Sequence, residues 1–146
     1  MTDISNVTFA AYHGGGNFSS WIAAACEAAD VPFNDNWHYG MHVLCLRESS
    51  LKPNAVNTID KNANGPIVAD GHPQNCSRGL AQCIPSTFAE FHAPGTSWDI
   101  YDPIANLAAS ITYIIDHYHM DVDGSNLTRE VQQADAHRLP HGYIEL

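Results

Sequence analysis

The chain has 146 residues, of which 45% are hydrophobic and 15% are charged, which indicates one folded domain rather than a disordered segment. The 6 Lys and Arg against 16 Asp and Glu give a formal net charge of -10, which argues against nucleic acid as a partner. The N-terminus lacks the basic start and apolar core of a signal peptide, and no stretch approaches the roughly 20 apolar residues of a membrane span, so we predict neither export signal nor membrane insertion.

The first predicted helix runs from Phe18 to Ala29, a stretch rich in alanine, with Asn17 or Ser19 in place to cap its N-terminus. Residues 1–16 are predicted to form an N-terminal leader. Residues 17–146 are then long enough for a single domain, and no internal repeat divides them.

The second predicted helix, from about Asn36 to Ser49, has an apolar face formed by Trp37, Met41, Leu44 and Cys45. Glu48 falls at the end of this face. A carboxyl group there is partly desolvated, which raises its pKa and favours its protonated form. The alternative from periodicity alone is that Glu48 pairs with Arg47 or turns outward at the helix end.

Residues 52–78 are rich in Asn, Asp, Gly and Pro, which predicts a long loop that carries a short hairpin. Pro85 then begins a short helix. Asp102 and Pro103 cap and start the longest helix, whose apolar face makes it the centre of the core. A final helix is predicted over residues 126–138.

Cysteines and histidines give weaker signals. Four cysteines allow three pairings and form no CxxC motif, so disulfides are left open. His38 and His42 have the i, i+4 spacing of zinc ligands, but Tyr39 occupies the position where zinc peptidases carry a glutamate. We therefore predict no metal site.

Three segments carry the chemistry, and they occur in a fixed order between residues 37 and 118. They are Arg47–Ala55, which contains Glu-Ser; Gly79–Thr87, which begins Gly-Leu-x-Gln; and Tyr101–Tyr113. Together they resemble the soluble lytic transglycosylase family and its goose-type lysozyme relatives. The variety that they most resemble occurs in endolysins and tail tape-measure proteins of phages that infect actinobacteria.

The resemblance implies a role for each matching residue. Glu48 corresponds to the general acid at the helix end in the cleft, and Ser49 supports the hydrogen bonding around it. Gly79, Leu80 and Gln82 are expected to border the scissile bond in the sugar-binding groove. Together with Ser49 and two residues of the third segment, these three form the predicted substrate-binding set.

The two remaining members are Asn106 and Tyr113, on the helix that backs the site. The sequence departs from the family pattern at Ala81, where Met is usual, and at Ser110, where Gly is usual. It also lacks the later Ala-Tyr-Asn-Ala-Gly segment, whose Tyr normally hydrogen-bonds the catalytic Glu. Either Tyr113 or Tyr118 replaces that Tyr, or the acid is supported differently.

The mechanism depends on the number of carboxylates. Most glycosidases use two, whereas a lytic transglycosylase uses one, which protonates the glycosidic oxygen and then lets the 6-hydroxyl of muramic acid close an anhydro ring. Goose-type hydrolases add Asp residues from the loop. Asp60 is the predicted second catalytic residue and Asp70 a weaker candidate, although both lie in good turn sequences.

We therefore expect a mostly helical α+β fold of the lysozyme-like type that cleaves the β-1,4 bond between N-acetylmuramic acid and N-acetylglucosamine in bacterial peptidoglycan, without a cofactor. The first expectation is the lytic transglycosylase domain of a phage endolysin, with further modules of a longer lysin as partners. It would act on the cell wall after release from the host cytoplasm, or as part of a phage particle. The alternatives are a goose-type hydrolase and a non-catalytic glycan-binding or structural tail module.

Overall fold

Helices account for most of the ordered structure in the computed structural model, which describes residues 2–144. The elements are α1 (Phe18–Ala28), α2 (Asp35–Ser49), β1 (Val56–Asn57), β2 (Ser77–Arg78), α3 (Pro85–Glu90), α4 (Pro103–Tyr118), α5 (Leu127–Glu130) and a 3-10 turn (Gln132–Ala134). The predicted α+β class with a helical majority is confirmed. Among residues 2–144, none of the helices is long and apolar enough to cross a membrane.

The longest helix, α4, is the centre of the core. The Asp102 carboxylate accepts a hydrogen bond from the N–H of Ala105, and Pro103 occupies the first turn, as predicted. Helices α1 and α3 both pack against α4. Fully buried apolar side chains from these helices and α2 fill the space between them, each worth about 1.5–3 kcal/mol of burial: Ile22, Trp37, Met41, Leu44, Phe88, Leu107, Ile111 and Ile114.

Helix α2 begins one residue before its predicted start and ends as predicted at Ser49. The Asn34 side chain caps its N-terminus by accepting the N–H of Trp37. At the other end Ser50 and Leu51 both have left-handed backbone, with φ of 55° and 61°. These two residues stop the helix and turn the chain sharply into the long loop.

The long loop folds around the side chain of Arg78. Its predicted hairpin is present as an antiparallel pair in which Val56 faces Arg78. The Arg78 side chain is fully buried, and its Nε lies 2.6 Å from the Asp70 Oδ2. The guanidinium also donates to the carbonyls of Pro73, Gln74 and Cys76. One buried cation therefore organises the return half of a loop that contains little regular structure.

The predicted N-terminal leader contacts the rest of the domain. Val7 is buried, and Thr8 forms a parallel bridge with Asp99. Tyr12 exchanges two hydrogen bonds with the Asn54 side chain, at 2.7 and 2.9 Å. The leader thus crosses from the start of α4 to the loop that follows α2. The sequence lacks the apolar periodicity that would have signalled this packing.

The final helix is shorter than the predicted range of 126–138. Helix α5 covers only Leu127–Glu130, because Val131 adopts extended backbone before the 3-10 turn. The Arg138 side chain returns to donate to the carbonyls of Thr128 and Arg129. These carbonyls therefore receive a guanidinium where a longer helix would have supplied backbone N–H groups.

The four cysteines are buried free thiols in this structure: Cys26, Cys45, Cys76 and Cys83. Burial raises the pKa of each of them, so the thiols remain protonated and unreactive at neutral pH.

We expect Asp70→Asn to lower the free energy of unfolding by about 3 kcal/mol, because it leaves the buried Arg78 cation without its anion. Burial raises the pKa of Asp70, but hydrogen bonds from Arg78, Tyr101 and the N–H of His72 outweigh this effect and hold it below its ordinary value. The pair therefore stabilises the fold at neutral pH, and this stability is lost as pH falls through the lowered pKa.

Urea denaturation at pH 7 and in acid measures this effect, with the exposed Asp121→Asn as control at a cost within about 0.5 kcal/mol. Equal stability of Asp70→Asn and the unmodified chain at pH 7 would contradict the role given to the pair.

Candidate active site

Glu48 lies at the centre of a groove. One cavity, of about 480 Å³, is lined by the end of α2 and by β1 with the residues around it, including Ser49, Asn57 and Ile59. A second, of about 210 Å³, is lined by Asp60, Lys61, Asn62, Ser77, Ile84 and Gly142–Ile144. Glu48 and Gln82 line both cavities. The two cavities therefore meet at one carboxyl group and one amide, and together we call them the groove.

The electrostatics of Glu48 suit proton donation. Burial raises its pKa to about 6; the hydrogen bond from Gln133 lowers it, and the negative charge of Asp60 raises it. A carboxyl group with such a pKa is protonated in mildly acidic solution and ionises near neutrality. It can therefore give a proton to a leaving group and afterwards accept one.

The turn that contains Gly79 and Gln82 is fastened to α4 by one buried side chain, Asn106. Its Nδ2 donates to the carbonyls of Arg78 and Ile100, at 3.0 and 2.8 Å, and its Oδ1 accepts the N–H of Ala81 at 2.8 Å. A Cβ on residue 79 would lie 2.3 Å from the Asn106 Nδ2, and the φ of Gly79 is +86°. Only glycine fits there, which explains the Gly of the second motif.

Gln82 faces the groove, and the turn around it holds its side chain. Its Nε2 donates to the carbonyls of Ala55 and Gly79, both at 3.0 Å, which leaves Oε1 to accept from a ligand. Ser49 also lines the groove, but its hydroxyl donates to the carbonyl of Cys45, one turn earlier in α2. Ser49 thus braces the helix end next to Glu48.

Four other predicted substrate-binding residues lie behind the groove. Gly79 is buried, Leu80 and Asn106 are fully buried, and Tyr113 is 5% exposed. None of them lines either cavity beside Glu48. Leu80 belongs to the hydrophobic core, and Asn106 and Tyr113 lie on α4.

Tyr143 is a residue that the sequence did not single out. It is buried against the groove, and its hydroxyl donates to the carbonyl of Ala81 and bonds the Ser110 hydroxyl, each at 2.7 Å. This explains Ser110, because the usual Gly could not bond the phenol. Tyr113 and Tyr118 donate to the carbonyl of Tyr143, so neither is the direct partner of Glu48 in this geometry.

The carboxyl group of Glu48 is instead held by Gln133, whose Nε2 lies 2.8 Å from the Glu48 Oε2. Arg47 does not pair with Glu48; it donates to the carbonyls of Gln132, Gln133 and Arg138. No sequence signal marks Gln133, which lies in a segment without a motif and reaches Glu48 across 85 positions of the chain.

The two loop aspartates have different surroundings. Asp60 lines the smaller cavity together with Glu48, and its Oδ1 accepts the N–H of Asn62. Asp70 is held by Arg78 and Tyr101 in the loop core and lines neither groove cavity. Asp60 is therefore the loop carboxylate with access to a bound sugar, and Asp70 has a structural role.

Within residues 2–144, no group of three or more His, Cys, Asp or Glu side chains is placed to hold a metal ion. His38 instead contacts the Ser19 hydroxyl, and His42 packs against Phe18.

A helical fold that presents a partly buried carboxyl group of raised pKa in a groove has the general acid that glycan cleavage requires. Sequence comparison gives the family: the model of the Transglycosylase SLT domain matches residues 33–128, and the chain belongs to this family. It is accordingly a peptidoglycan lytic transglycosylase or lysozyme-like enzyme, and the predicted lysozyme-like fold is confirmed.

Among curated proteins, the chain is similar to the "Uncharacterized protein YqbO" of Bacillus subtilis (strain 168), with 40% identity over 113 residues. The match covers 75% of this chain but only 6% of YqbO. The chain therefore corresponds to a small part of that relative. No solved structure matches the chain significantly.

Proposed function

We propose that the chain cleaves the β-1,4 bond between N-acetylmuramic acid and N-acetylglucosamine by intramolecular transglycosylation, with Glu48 as the only carboxyl group that exchanges protons with the substrate. The observation that carries the proposal is that Glu48, a partly desolvated carboxyl group, lines both of two neighbouring cavities. A glycan that fills both cavities crosses Glu48 with sugars on either side.

The reaction needs one group that acts twice. Protonated Glu48 gives its proton to the glycosidic oxygen as the bond from C1 of muramic acid to that oxygen breaks, and N-acetylglucosamine leaves as an alcohol. The Glu48 carboxylate then removes the proton of the 6-hydroxyl of muramic acid, whose oxygen bonds to C1. The 1,6-anhydro ring forms, Glu48 is protonated again, and no water is consumed.

Glu48→Gln should reduce the release of muropeptides from purified peptidoglycan by at least about 100-fold, because an amide cannot donate the proton. The variant keeps the size of the side chain, so its melting temperature is the control for folding. Mass spectrometry of the fragments from the unmodified chain should give 1,6-anhydro ends. Equal clearing by both proteins would rule out Glu48 as the acid, and no clearing by either would favour a non-catalytic module.

A second candidate, a goose-type hydrolase, is favoured by one observation, the presence of Asp60 in the same cavity as Glu48. In such an enzyme Asp60 would position a water that attacks C1 and leaves a reducing end. In the transglycosylase that we propose, Asp60 has only an electrostatic effect, since its negative charge keeps Glu48 protonated to higher pH.

Asp60→Asn separates the two mechanisms. The proposed transglycosylase should still release anhydro products, and the alkaline limb of its rate profile should move to lower pH, because loss of the negative charge lowers the pKa of Glu48. A product with reducing ends from the unmodified chain, lost in Asp60→Asn, would establish the hydrolase instead.

We further infer that the chain is the lytic module of a longer phage endolysin or tail protein, which acts on the wall after release from the host cytoplasm or as part of a phage particle. Its resemblance to such phage proteins supports this role. Its net charge of -10 also opposes long-range attraction to an anionic wall, so another module would supply that attraction.

The isolated chain should therefore co-sediment poorly with purified cell walls at low ionic strength, and better as salt screens the repulsion. Tight sedimentation at low salt would remove the need for a separate wall-binding module.

A further inference from the structure

Gln133 forms a buried bridge between the Glu48 carboxyl group and the C-terminal segment. The side chain belongs to the 3-10 turn at Gln132–Ala134 and is 6% exposed. Its Nε2 donates to the Glu48 Oε2 at 2.8 Å, and its Oε1 accepts the N–H of His141 at 2.7 Å. Both ends of the amide are therefore in use.

The backbone fixes the orientation of this amide. A backbone N–H can only donate, so the Gln133 oxygen must face His141. The NH₂ group must then face Glu48, where it can donate but cannot accept. In contrast to a hydroxyl, which could turn to accept the proton of Glu48, this partner offers the carboxyl group only a donor.

Helix α2 holds the bridge at its other end. Arg47 donates to the backbone carbonyls of Gln132 and Gln133, at 3.3 and 3.4 Å, and to that of Arg138 at 2.7 Å. Two consecutive residues of α2 therefore contact the C-terminal segment, Arg47 through the backbone and Glu48 through the Gln133 side chain. The amide has little freedom to move away from the carboxyl group.

We propose that Gln133 is a positioning residue that fixes Glu48 and selects Oε1 as the oxygen that carries its proton. A carbonyl oxygen accepts a hydrogen bond more strongly than a hydroxyl oxygen, so the donor on Oε2 keeps that atom in the carbonyl form. The proton is left on Oε1. The same donor stabilises the carboxylate after the proton has gone. This inference rests on the proposed role of Glu48 as the acid.

Other charged and titratable groups face Glu48 from several elements, and they remain in place when Gln133 is changed. Asp60 and Lys61 lie on the loop across the smaller cavity. Cys45 on α2, Cys83 after the Gly79–Gln82 turn and Tyr143 in the C-terminal segment all interact electrostatically with Glu48. A change in the Gln133 side chain therefore alters its two hydrogen bonds, to Glu48 and to the N–H of His141, against a constant background.

Two substitutions test the inference. Gln133→Met keeps the length of the side chain but removes the donor, so the pKa of Glu48 should rise by about one unit. Gln133→Glu keeps an acceptor for the N–H of His141, which preserves the attachment of the C-terminal segment, and places a carboxyl group against Glu48. The two carboxyl groups would then share one proton, and the pair would hold it to still higher pH.

The control is Gln132→Met, one position earlier. The Gln132 side chain donates to the carbonyl of Leu139, away from Glu48. This variant should leave the pKa of Glu48 unchanged, whereas a general loosening of the C-terminal segment would affect both positions. Melting temperatures of the three variants show which of them are folded.

The primary measurement is the pKa of Glu48 by NMR, from the titration of ¹³C-labelled glutamate carboxyl groups, with the Glu48 resonance identified by its loss in Glu48→Gln. The pH profile of peptidoglycan cleavage is the second. For Gln133→Met we expect the alkaline limb to move up by about one unit and the rate at the optimum to fall about 10-fold, because the acid is no longer oriented.

The outcomes distinguish this inference from the proposed function. An unchanged pKa of Glu48 in folded Gln133→Met overturns the role of Gln133, even if Glu48→Gln is inactive. An equal shift in Gln132→Met also overturns it, because the effect would then belong to the segment as a whole. Equal clearing by the unmodified chain and Glu48→Gln overturns the function of Glu48, even if its pKa follows Gln133.

Discussion

The constraint on which the active site depends is the triple hydrogen bond of the buried Asn106 amide. Two of its bonds join α4 to the Gly79–Gln82 turn, at the carbonyl of Arg78 just before the turn and at the N–H of Ala81 within it. The third holds the carbonyl of Ile100, in the segment that leads into α4. Because the amide fits only against a residue without a Cβ, the Gly and the Asn require each other. This turn places Gln82 in the groove, and its Ala81 carbonyl accepts a hydrogen bond from the Tyr143 hydroxyl. One side chain of α4 thus fixes the turn that brings Gln82 to the groove.

The chemistry of the site follows from opposing influences on one carboxyl group. Burial and the charge of Asp60 favour the protonated form of Glu48, while the hydrogen bond from Gln133 favours the carboxylate. In the proposed mechanism Glu48 acts first as an acid and then as a base, which needs both forms within reach, and a pKa of about 6 provides this in mildly acidic to neutral solution. A strongly buried carboxyl group without a hydrogen-bond donor would have a higher pKa and would be a weaker proton donor.

The departures from the family pattern form one connected change. Ser110 gains a hydroxyl where Gly is usual, and that hydroxyl bonds Tyr143 from the last part of the chain. Burial raises the pKa of Tyr143, so the phenol stays protonated and keeps its donor. The carboxyl group itself is held by Gln133. The C-terminal segment thus supplies the hydrogen bond to Glu48 that the Tyr of the missing Ala-Tyr-Asn-Ala-Gly segment normally makes.

The sequence by itself determined the parts of the fold that depend on local patterns. Apolar periodicity and capping residues predicted α1 and α2 to within one residue and the start of α4, and the ordered motifs predicted the family. Only the tertiary structure decided which residues meet Glu48. Gln133 is 85 positions away along the chain, and its amide carries no periodic or motif signal. The extended break at Val131 was missed for the same reason, since a guanidinium from Arg138 replaces the helical hydrogen bonds there. Hydrogen bonds between segments that are distant in the chain depend on how the helices pack, and local sequence patterns do not show which of these segments will meet.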